Sequence, residues 1–295
     1  MLQLKQTTIR QPISFSGVGL HSGESVNLTL HPAPPQTGIQ FLYNGQALKA
    51  HLSHVSNTQY ATQLEGNGIT IRTVEHLLSA LMAMRVSNVF CMLDHSELPI
   101  MDGSSWPFYF ALQTTGIEEQ DAPVLVARVN KEVVVHQGES MGMLKPAYDQ
   151  MYEVTLDYAH PLIVAGGLTG KFSFKKDHYP TSLARARTYG FKKDLDFYKK
   201  YNLALGGNLK NSVVFDDQSV LNPEGLYFAD EVVRHKILDA IGDLSLIGAP
   251  FLGSYQAIRP GHTLNILLLK EAVLQHAFDW VPAHSLVEES IQAKA

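Results

Sequence analysis

The feature of this sequence that most constrains its fold is a long periodic segment at residues 230–247. Its apolar residues recur at helical spacing, and the pattern ends at Gly248 and Pro250, residues that are typical of helix ends. At about 100° per residue, the apolar side chains gather on one side. The segment therefore predicts an amphipathic helix that packs on a core through one stripe: Val233, Ile237, Ala240, Ile241, Leu244 and Ile247.

The opposite side of this predicted helix has an imidazole and two carboxylates. His235, Asp239 and Asp243 follow one another at intervals of four residues, so they project from one face, away from the apolar stripe. Imidazole nitrogen and carboxylate oxygen are suitable zinc ligands, and residues one turn apart can reach the same ion. The alternative is a solvated polar face with a capping or salt-bridging histidine, because helices commonly have such a face.

A catalytic zinc usually takes three protein ligands, so a third ligand must come from elsewhere in the chain. His76 follows Glu75 in the first turn of a second predicted helix, residues 73–84, with Thr73 as its N-cap. This pair would supply a ligand beside a carboxylate that can accept a proton from water. The alternative is a first-turn glutamate that interacts with the helix dipole.

His262 is a further candidate, because it follows a predicted turn at residues 259–261. The turn leads into an apolar segment, residues 264–269, which is interpreted as a strand. A hydrogen-bonded surface histidine is the alternative here. Asp243 lies one turn beyond Asp239, so we expect it to orient a histidine instead of binding the metal.

The remaining patterns predict an α+β fold. Strand-like segments precede each of the two helices, and residues 121–123 are the best linker candidate between a domain at residues 1–122 and a domain at residues 123–295. Sequence identity between the two halves is too thin to establish a duplication. The predicted strands include residues 26–30, 39–43, 133–135, 152–156 and 172–174.

Composition excludes several classes of protein. A formal net charge of -5 argues against a protein that coats nucleic acid, although a local basic pocket could still bind an anionic substrate. The single cysteine, Cys91, excludes an intrachain disulfide framework and a cysteine-rich zinc site, and its apolar neighbours predict a buried thiol. With no signal-peptide pattern and no apolar run of membrane-spanning length, a cytoplasmic protein is expected.

Six short motifs follow one another along the chain: Thr73-Val74-Glu75-His76, Pro99-Ile100-Met101-Asp102-Gly103-Ser104, Ala186-Arg187-Thr188-Tyr189-Gly190, Leu205-Gly206-Gly207, His235-Lys236-x-x-Asp239-x-x-x-Asp243 and Gly261-His262-x-x-Asn265. In this order the motifs resemble the UDP-3-O-acyl-N-acetylglucosamine deacetylases, and the resemblance spans about residues 8–269. It implies two α+β domains of similar topology, each a sheet packed against helices, with the active site in the cleft between them.

The implied reaction is zinc-dependent hydrolysis of the N-acetyl group of UDP-3-O-(3-hydroxyacyl)-N-acetylglucosamine, which gives the free amine and acetate and commits the cell to lipid A biosynthesis. One catalytic Zn²⁺ is the implied cofactor and the acylated UDP-sugar the implied partner, with no nucleic acid and no obligate protein partner. The implied zinc ligands are His76, His235 and Asp239. The implied catalytic residues are Glu75 as general base, His262 as general acid, Asp243 as the hydrogen-bond partner of His262, and Thr188 as a hydroxyl that polarises the acetamide carbonyl. The resemblance leaves open whether His262 or Glu75 protonates the leaving nitrogen.

The resemblance also implies residues that bind the substrate. Lys236 and Arg259 would present positive charge to the sugar nucleotide, while Tyr158 and Phe191 match aromatic positions near the nucleoside and the sugar. Residues 192–214 match an insertion that lines a hydrophobic passage for the acyl chain, and the alternative for its apolar side chains is ordinary packing of an extra helix.

Two departures from the family pattern are visible. Tyr158 and Tyr189 stand where phenylalanine is commoner, and Tyr60 stands where some members have a cysteine. Two rival hypotheses also remain at this point. An enzyme acting on another N-acetylated sugar or amino acid would keep the zinc site without the acyl passage, and a non-catalytic sugar-nucleotide-binding protein would need none of the predicted catalytic residues.

Overall fold

The computed structural model describes residues 3–286, which form a mixed α+β fold, as predicted. The strands along the chain are β1 (Lys5–Ile9), β2 (Ile13–Val18), β3 (Ser25–Pro32), β4 (Ile39–Tyr43), β5 (Gln46–Lys49), β6 (Val55–Asn57), β7 (Gln63–Gly66), β8 (Ile69–Arg72), β9 (Val89–Leu93), β10 (Ile117–Pro123), β11 (Leu125–Val129), β12 (Val133–Gln137), β13 (Ser140–Lys145), β14 (Gln150–Thr155), β15 (Thr169–Ser173), β16 (Tyr189–Phe191), β17 (Val213–Phe215), β18 (Phe251–Ile258) and β19 (Phe278–Pro282).

The helices are α1 (Glu75–Ala83), α2 (Trp106–Thr115), α3 (Pro161–Gly166), α4 (Tyr179–Ser182), α5 (Leu195–Lys200), α6 (Glu231–Leu244) and α7 (His262–Leu274). Short 3₁₀ turns lie at Leu52–His54, Lys192–Asp194 and Ser245–Ile247. Among residues 3–286, no helix is long and apolar enough to cross a membrane.

Two large sheets carry most of the strands. The first has the order β2-β3-β9-β4-β5, and only the β4–β9 pair is parallel. The second has the order β12-β13-β18-β11-β19, with β14 and β15 attached through β14–β18 pairing. Period-two alternation holds in β3, where Val26, Leu28 and Leu30 are buried, as the sequence predicts for a half-buried strand.

Smaller pairings complete the fold. They are the antiparallel pair β1–β10, the three-stranded sheet β6-β7-β8 and the parallel pair β16–β17. Cys91 is buried in β9, as predicted. One continuous apolar core joins the side chains of both large sheets and the helices between them.

The long helix was predicted correctly. α6 covers Glu231–Leu244 and continues as a 3₁₀ turn to Ile247, and Gly248 then has a left-handed backbone that ends it. Its apolar stripe is buried, but so are His235, Asp239 and Asp243 on the opposite side. The alternative of a solvated polar face is therefore wrong for this helix.

Two other predictions about local structure are wrong. Residues 264–269 lie in helix α7, because a short apolar run has the same appearance in a buried helix as in a strand. Thr73 is not an N-cap: Val74 occupies that position, and the Thr73 hydroxyl donates to Glu97 instead. The linker candidate, residues 121–123, forms the end of β10, which pairs with β1.

Candidate functional site

The site is built where helix α1 meets helix α6. A Cβ atom on Gly242 would overlap the backbone carbonyl of Glu75, so glycine is the residue that permits this close approach. Gly242 lies between Asp239 and Asp243 in α6, so the first turn of α1 faces both carboxylates. The packing of two helices thus brings residues 75–76 to residues 235–243, which lie far away in the sequence.

The three predicted metal ligands lie together and are buried. Ligand atoms of His76, His235 and Asp239 are all within 4.8 Å of one another. Nε2 of His76 is 3.6 Å, and Nε2 of His235 is 3.3 Å, from Oδ1 of Asp239. Within residues 3–286, this Oδ1 atom is buried without a hydrogen-bond partner. A buried carboxylate oxygen is costly to leave unpaired, so its environment fits a bound cation.

The protonation of these groups also suits metal binding. Nδ1 of His235 lies 3.0 Å from the carbonyl oxygen of Ala186, and a proton donated there leaves Nε2 as a lone pair facing Asp239. Burial lowers the pKa of His235 to about 3, so the ring is neutral. Burial opposes ionisation of Asp239, but the nearby His235 and Lys236 outweigh it and hold its pKa well below the usual range.

Glu75 and His262 face each other beside the triplet. Nε2 of His262 is 3.6 Å from Oε1 of Glu75, and both side chains are buried. Oε2 of Glu75 accepts a hydrogen bond from the backbone N–H of Thr62 at 3.2 Å. Burial raises the pKa of Glu75, and the neighbouring His262 and His76 oppose this rise only in part.

Asp243 holds His262 from the other side. Nδ1 of His262 donates to Oδ2 of Asp243 at 2.8 Å. Burial alone would lower the pKa of His262, but the carboxylates of Asp243 and Glu75 raise it to about 9. His262 is therefore cationic at neutral pH, and its geometry agrees with the prediction that Asp243 orients a histidine.

Ten of the eleven predicted site residues line one cavity of about 620 Å³, and Asp243 lies behind His262. Thr188 reaches this cavity from the residue before β16, where its N–H donates to the carbonyl oxygen of Gly103. The neighbouring Arg187 is buried and bound to Glu231 at 2.8 Å, which ties this segment to the start of α6. Among the predicted site residues, the cavity thus presents two carboxylates, three imidazoles and the Thr188 hydroxyl to any molecule that enters it.

The two predicted cations are already paired. Nζ of Lys236 is 2.9 Å from Oδ2 of Asp239, so its charge supports the carboxylate of the triplet. Arg259 forms ion pairs with Glu139 and Asp157 at the rim of the cavity. An anionic ligand would have to share or replace these carboxylates in order to bind either cation.

The predicted aromatic residues form the wall beside Lys236. The rings of Tyr158 and Phe191 have centroids 5.7 Å apart, and the hydroxyls of Tyr158 and Tyr189 are hydrogen-bonded at 2.8 Å. This bond requires two tyrosines, so it depends on the hydroxyls that phenylalanine would lack.

Two residues of the site were not predicted as having a role. Thr62 donates through its hydroxyl to Oδ1 of Asp243 at 2.6 Å, and Asn265 donates through its amide to Oδ2 at 2.8 Å. Asn265 could have been predicted, because it belongs to one of the six motifs and follows His262 by three residues. Thr62 had no signal, because its partner lies 181 residues away.

Comparison with known proteins identifies the family. The chain matches the LpxC family model, described as UDP-3-O-acyl N-acetylglycosamine deacetylase, over residues 6–274. A UDP-3-O-acyl-N-acetylglucosamine deacetylase of Nautilia profundicola is 41% identical over 294 residues, with 99% of each chain covered. The chain belongs to the UDP-3-O-acyl-N-acetylglucosamine deacetylase family.

Other members of this deacetylase family have similar coverage. The protein of the same description from Coxiella burnetii is 42% identical over 272 residues, which are 91% of this chain and 90% of the relative. The one from Xanthomonas oryzae is 42% identical over 282 residues, which are 94% and 93% of the two chains. Every predicted site residue lies inside the segment matched by the family model.

Proposed function

We propose that this chain removes the N-acetyl group of UDP-3-O-(3-hydroxyacyl)-N-acetylglucosamine by hydrolysis, with zinc as its cofactor. The chain is a deacetylase of lipid A biosynthesis by its family. The observation that carries the mechanism is the buried group of His76, His235 and Asp239, with Glu75 and His262 beside it on one cavity. A hydrolytic metal site needs this combination of ligands, base and acid.

His76, His235 and Asp239 would hold the zinc ion. The unpaired Oδ1 of Asp239 and the neutral ring of His235 fit such an ion. When bound, zinc would supply Lewis acidity toward the acetamide carbonyl and toward water. The ammonium of Lys236 keeps Asp239 ionised, and the carbonyl oxygen of Ala186 fixes the orientation of the His235 ring.

Glu75 and His262 divide the proton transfers. Glu75 accepts the proton of the attacking water, and its raised pKa makes it a stronger base than an exposed carboxylate. His262, protonated through Asp243, donates a hydrogen bond to the oxygen that becomes negative, and the departing nitrogen then takes its proton either from His262 or from Glu75, which holds the proton removed from water. The hydroxyl of Thr188 lies on the same cavity and is assigned to the acetamide carbonyl.

Lys236 and Arg259 are assigned to the sugar nucleotide. An incoming diphosphate would compete with Glu139 and Asp157 for the guanidinium of Arg259. Tyr158 and Phe191 are assigned to the nucleoside and the sugar, because aromatic rings provide flat apolar surfaces beside these cations.

Residues 192–214 are assigned to the acyl chain. Their apolar side chains include four that are exposed by 40% or more, an arrangement that favours an apolar ligand over simple packing. The ring of Phe197 also lies 6.2 Å from that of Tyr60, at the edge of the cavity lining. The four exposed residues are Leu195, Phe197, Leu205 and Leu209.

We also propose domains at residues 1–122 and 123–295, of similar topology, with the site in the cleft between them. Sheet pairing supports this division, since the two large sheets draw their strands from residues 13–93 and 125–282 respectively. A cytoplasmic location without an obligate protein partner completes the proposal.

The proposal is tested by acetate release from UDP-N-acetylglucosamine with and without the 3-O-acyl chain, with zinc measured in the same preparation. We expect about one zinc per chain and a strong preference for the acylated substrate. Chelation should abolish activity, and it should lower the melting temperature of the wild type but not of His235→Ala. Equal rates on both substrates would favour another N-acetylated substrate, and absence of acetate release would refute the proposed deacetylase activity.

A further inference from the structure

Glu97 is a buried carboxylate that the proposed mechanism does not use. It is only 2% exposed, yet it accepts three hydrogen bonds from groups in two other segments. Oε1 accepts from the backbone N–H of His21 at 2.9 Å and from the Thr73 hydroxyl at 3.0 Å, while Oε2 accepts from the N–H of Ser22 at 2.8 Å. Burial alone would raise the pKa of Glu97, but these donors lower it, so the carboxylate is ionised.

One of these bonds leads to the catalytic residues. Thr73 has a backbone φ of 61°, a conformation that β-branched residues rarely adopt. Its N–H donates to the carbonyl oxygen of Thr62 at 3.1 Å, and its hydroxyl is held by Glu97. Helix α1 begins two residues later with Glu75 and His76. The position of Thr73 therefore sets the position from which both side chains enter the site.

The other two bonds lead to the segment assigned to the acyl chain. Residues 19–23 contact residues 204–206 through their backbones, since Gly206 N–H donates to the carbonyl oxygen of Leu20 at 3.0 Å. A Cβ atom on Gly206 would overlap the carbonyl oxygen of Gly19, so the two backbones touch directly at this point. Glu97 holds residues 21 and 22 of the first loop and hence supports the second.

We propose that Glu97 is a positioning residue that holds the turn before Glu75 and His76 in register with residues 204–206 of the proposed acyl passage. This inference rests on the proposed function. Of the residues that hydrogen-bond to this carboxylate in the described part of the chain, Thr73 alone lines the cavity, so the carboxylate acts through its neighbours and not on the substrate. Its consequence is that placement of the acyl chain and placement of the catalytic pair depend on one buried group.

The test compares kcat and KM for substrates that carry a long or a short 3-O-acyl chain. Glu97→Gln keeps the size of the side chain but gives up one acceptor oxygen and the charge. Because small misplacements of catalytic groups can cost up to about 100-fold, we expect kcat to fall roughly 10- to 100-fold with zinc content retained. The value of kcat/KM should fall more for the long-chain substrate than for the short-chain one, so the ratio of the two values should decrease.

Three further variants test separately the contact of Glu97 with Thr73 and the contact between residues 19–23 and 204–206. Thr73→Ala should lower kcat for both substrates equally, and Thr73→Ser, which keeps the hydroxyl, should recover most of that loss. Gly206→Ala should raise KM for the long-chain substrate with little change in kcat for the short-chain one. These variants also decide the question if Glu97→Gln fails to fold.

The matched control is Asp94→Asn. Asp94 likewise accepts a backbone N–H, that of Asn27 at 2.7 Å, but it is exposed and contacts neither loop. We expect this control to keep wild-type kinetics. The inference would be overturned if Glu97→Gln left the preference for the long-chain over the short-chain substrate unchanged. It would also be overturned if Gly206→Ala impaired the reaction of both substrates equally. Failure of the wild type to release acetate would instead overturn the proposed function.

Discussion

Replacing Asp243 with asparagine should move the alkaline limb of the pH–rate profile to lower pH. If His262 acts in its protonated form, activity falls as pH rises through the pKa of His262. Asp243 is the first of the groups that raise this pKa, ahead of Glu75. A pKa of about 9 against 6.5 corresponds to ~3 kcal/mol in favour of the imidazolium, at about 1.4 kcal/mol for each pH unit.

The expected displacement follows from the charge that is removed. Loss of an opposite charge in direct contact usually changes a pKa by about 1–3 units, so the limb should move down by about 1–3 pH units. A bound zinc ion would lower the pKa of His262 in both proteins, so the measured quantity is the difference between variant and wild type. The assay is kcat/KM from pH 5 to 10, with zinc measured in each protein.

Thr62→Val is the matched control for this experiment. It removes one hydrogen bond to Asp243 but keeps the carboxylate charge, so its alkaline limb should not move to lower pH. Asp243→Asn should retain zinc, because Asp243 is not in the group of residues that could hold a metal ion. An unmoved limb in Asp243→Asn would refute the electrostatic role of this residue, and loss of zinc would make Asp243 a ligand.

Three further variants test other parts of the site. Glu75→Gln should keep zinc and substrate binding while kcat falls by roughly 10²–10⁴, the usual contribution of a general base, and near-wild-type turnover would contradict that role. Gly242→Ala should lower the free energy of unfolding by about 1–3 kcal/mol and weaken zinc binding, because the new Cβ displaces α1; denaturation and metal titration would check both. Leu203→Glu should raise KM for the acylated substrate without affecting zinc, whereas Leu274→Glu, at the exposed end of α7, should have no effect; equal losses on unacylated substrate would remove residues 192–214 from the acyl site.

Periodicity predicted the parts of the fold whose apolar residues repeat regularly. The pattern of β3 survives because alternate side chains are buried, and that of α6 survives because its apolar stripe packs on the core, although its polar side is buried as well. Residues 264–269 lack such a pattern, since α7 is apolar on nearly all sides of this segment and the same run could fill a strand. The N-terminus of α1 was mispredicted because Thr73 makes a tertiary hydrogen bond in place of a local cap.

The groups of the site are linked by long-range contacts that no local pattern contains. Glu75 and His76 were found through their adjacency, and His235 and Asp239 through their helical spacing, whereas Thr62 and Glu97 act through partners in distant segments. A buried polar side chain resembles an exposed one in sequence until its partners are known. Close backbone contacts, such as that of Gly242 with Glu75, also cannot be predicted from the sequence, because a glycine can occur in a helix for several different reasons.

The charge of the site supports the proposal that these polar residues serve catalysis and not stability alone. Three buried carboxylates, those of Glu75, Asp239 and Asp243, lie beside two cations, the half-buried Lys236 and the buried, protonated His262. Buried ion pairs contribute little net stability, because desolvation offsets their attraction. Two features of this group have no use in a folded core alone: the raised pKa of Glu75, and an oxygen of Asp239 left without a hydrogen-bond partner among the described residues. A divalent cation beside Asp239 would compensate the excess negative charge, while the field of Asp243 keeps the proton on His262. The proposed metal ligands and the proposed acid thus depend on different carboxylates of one helix, one turn apart, which allows them to be altered separately.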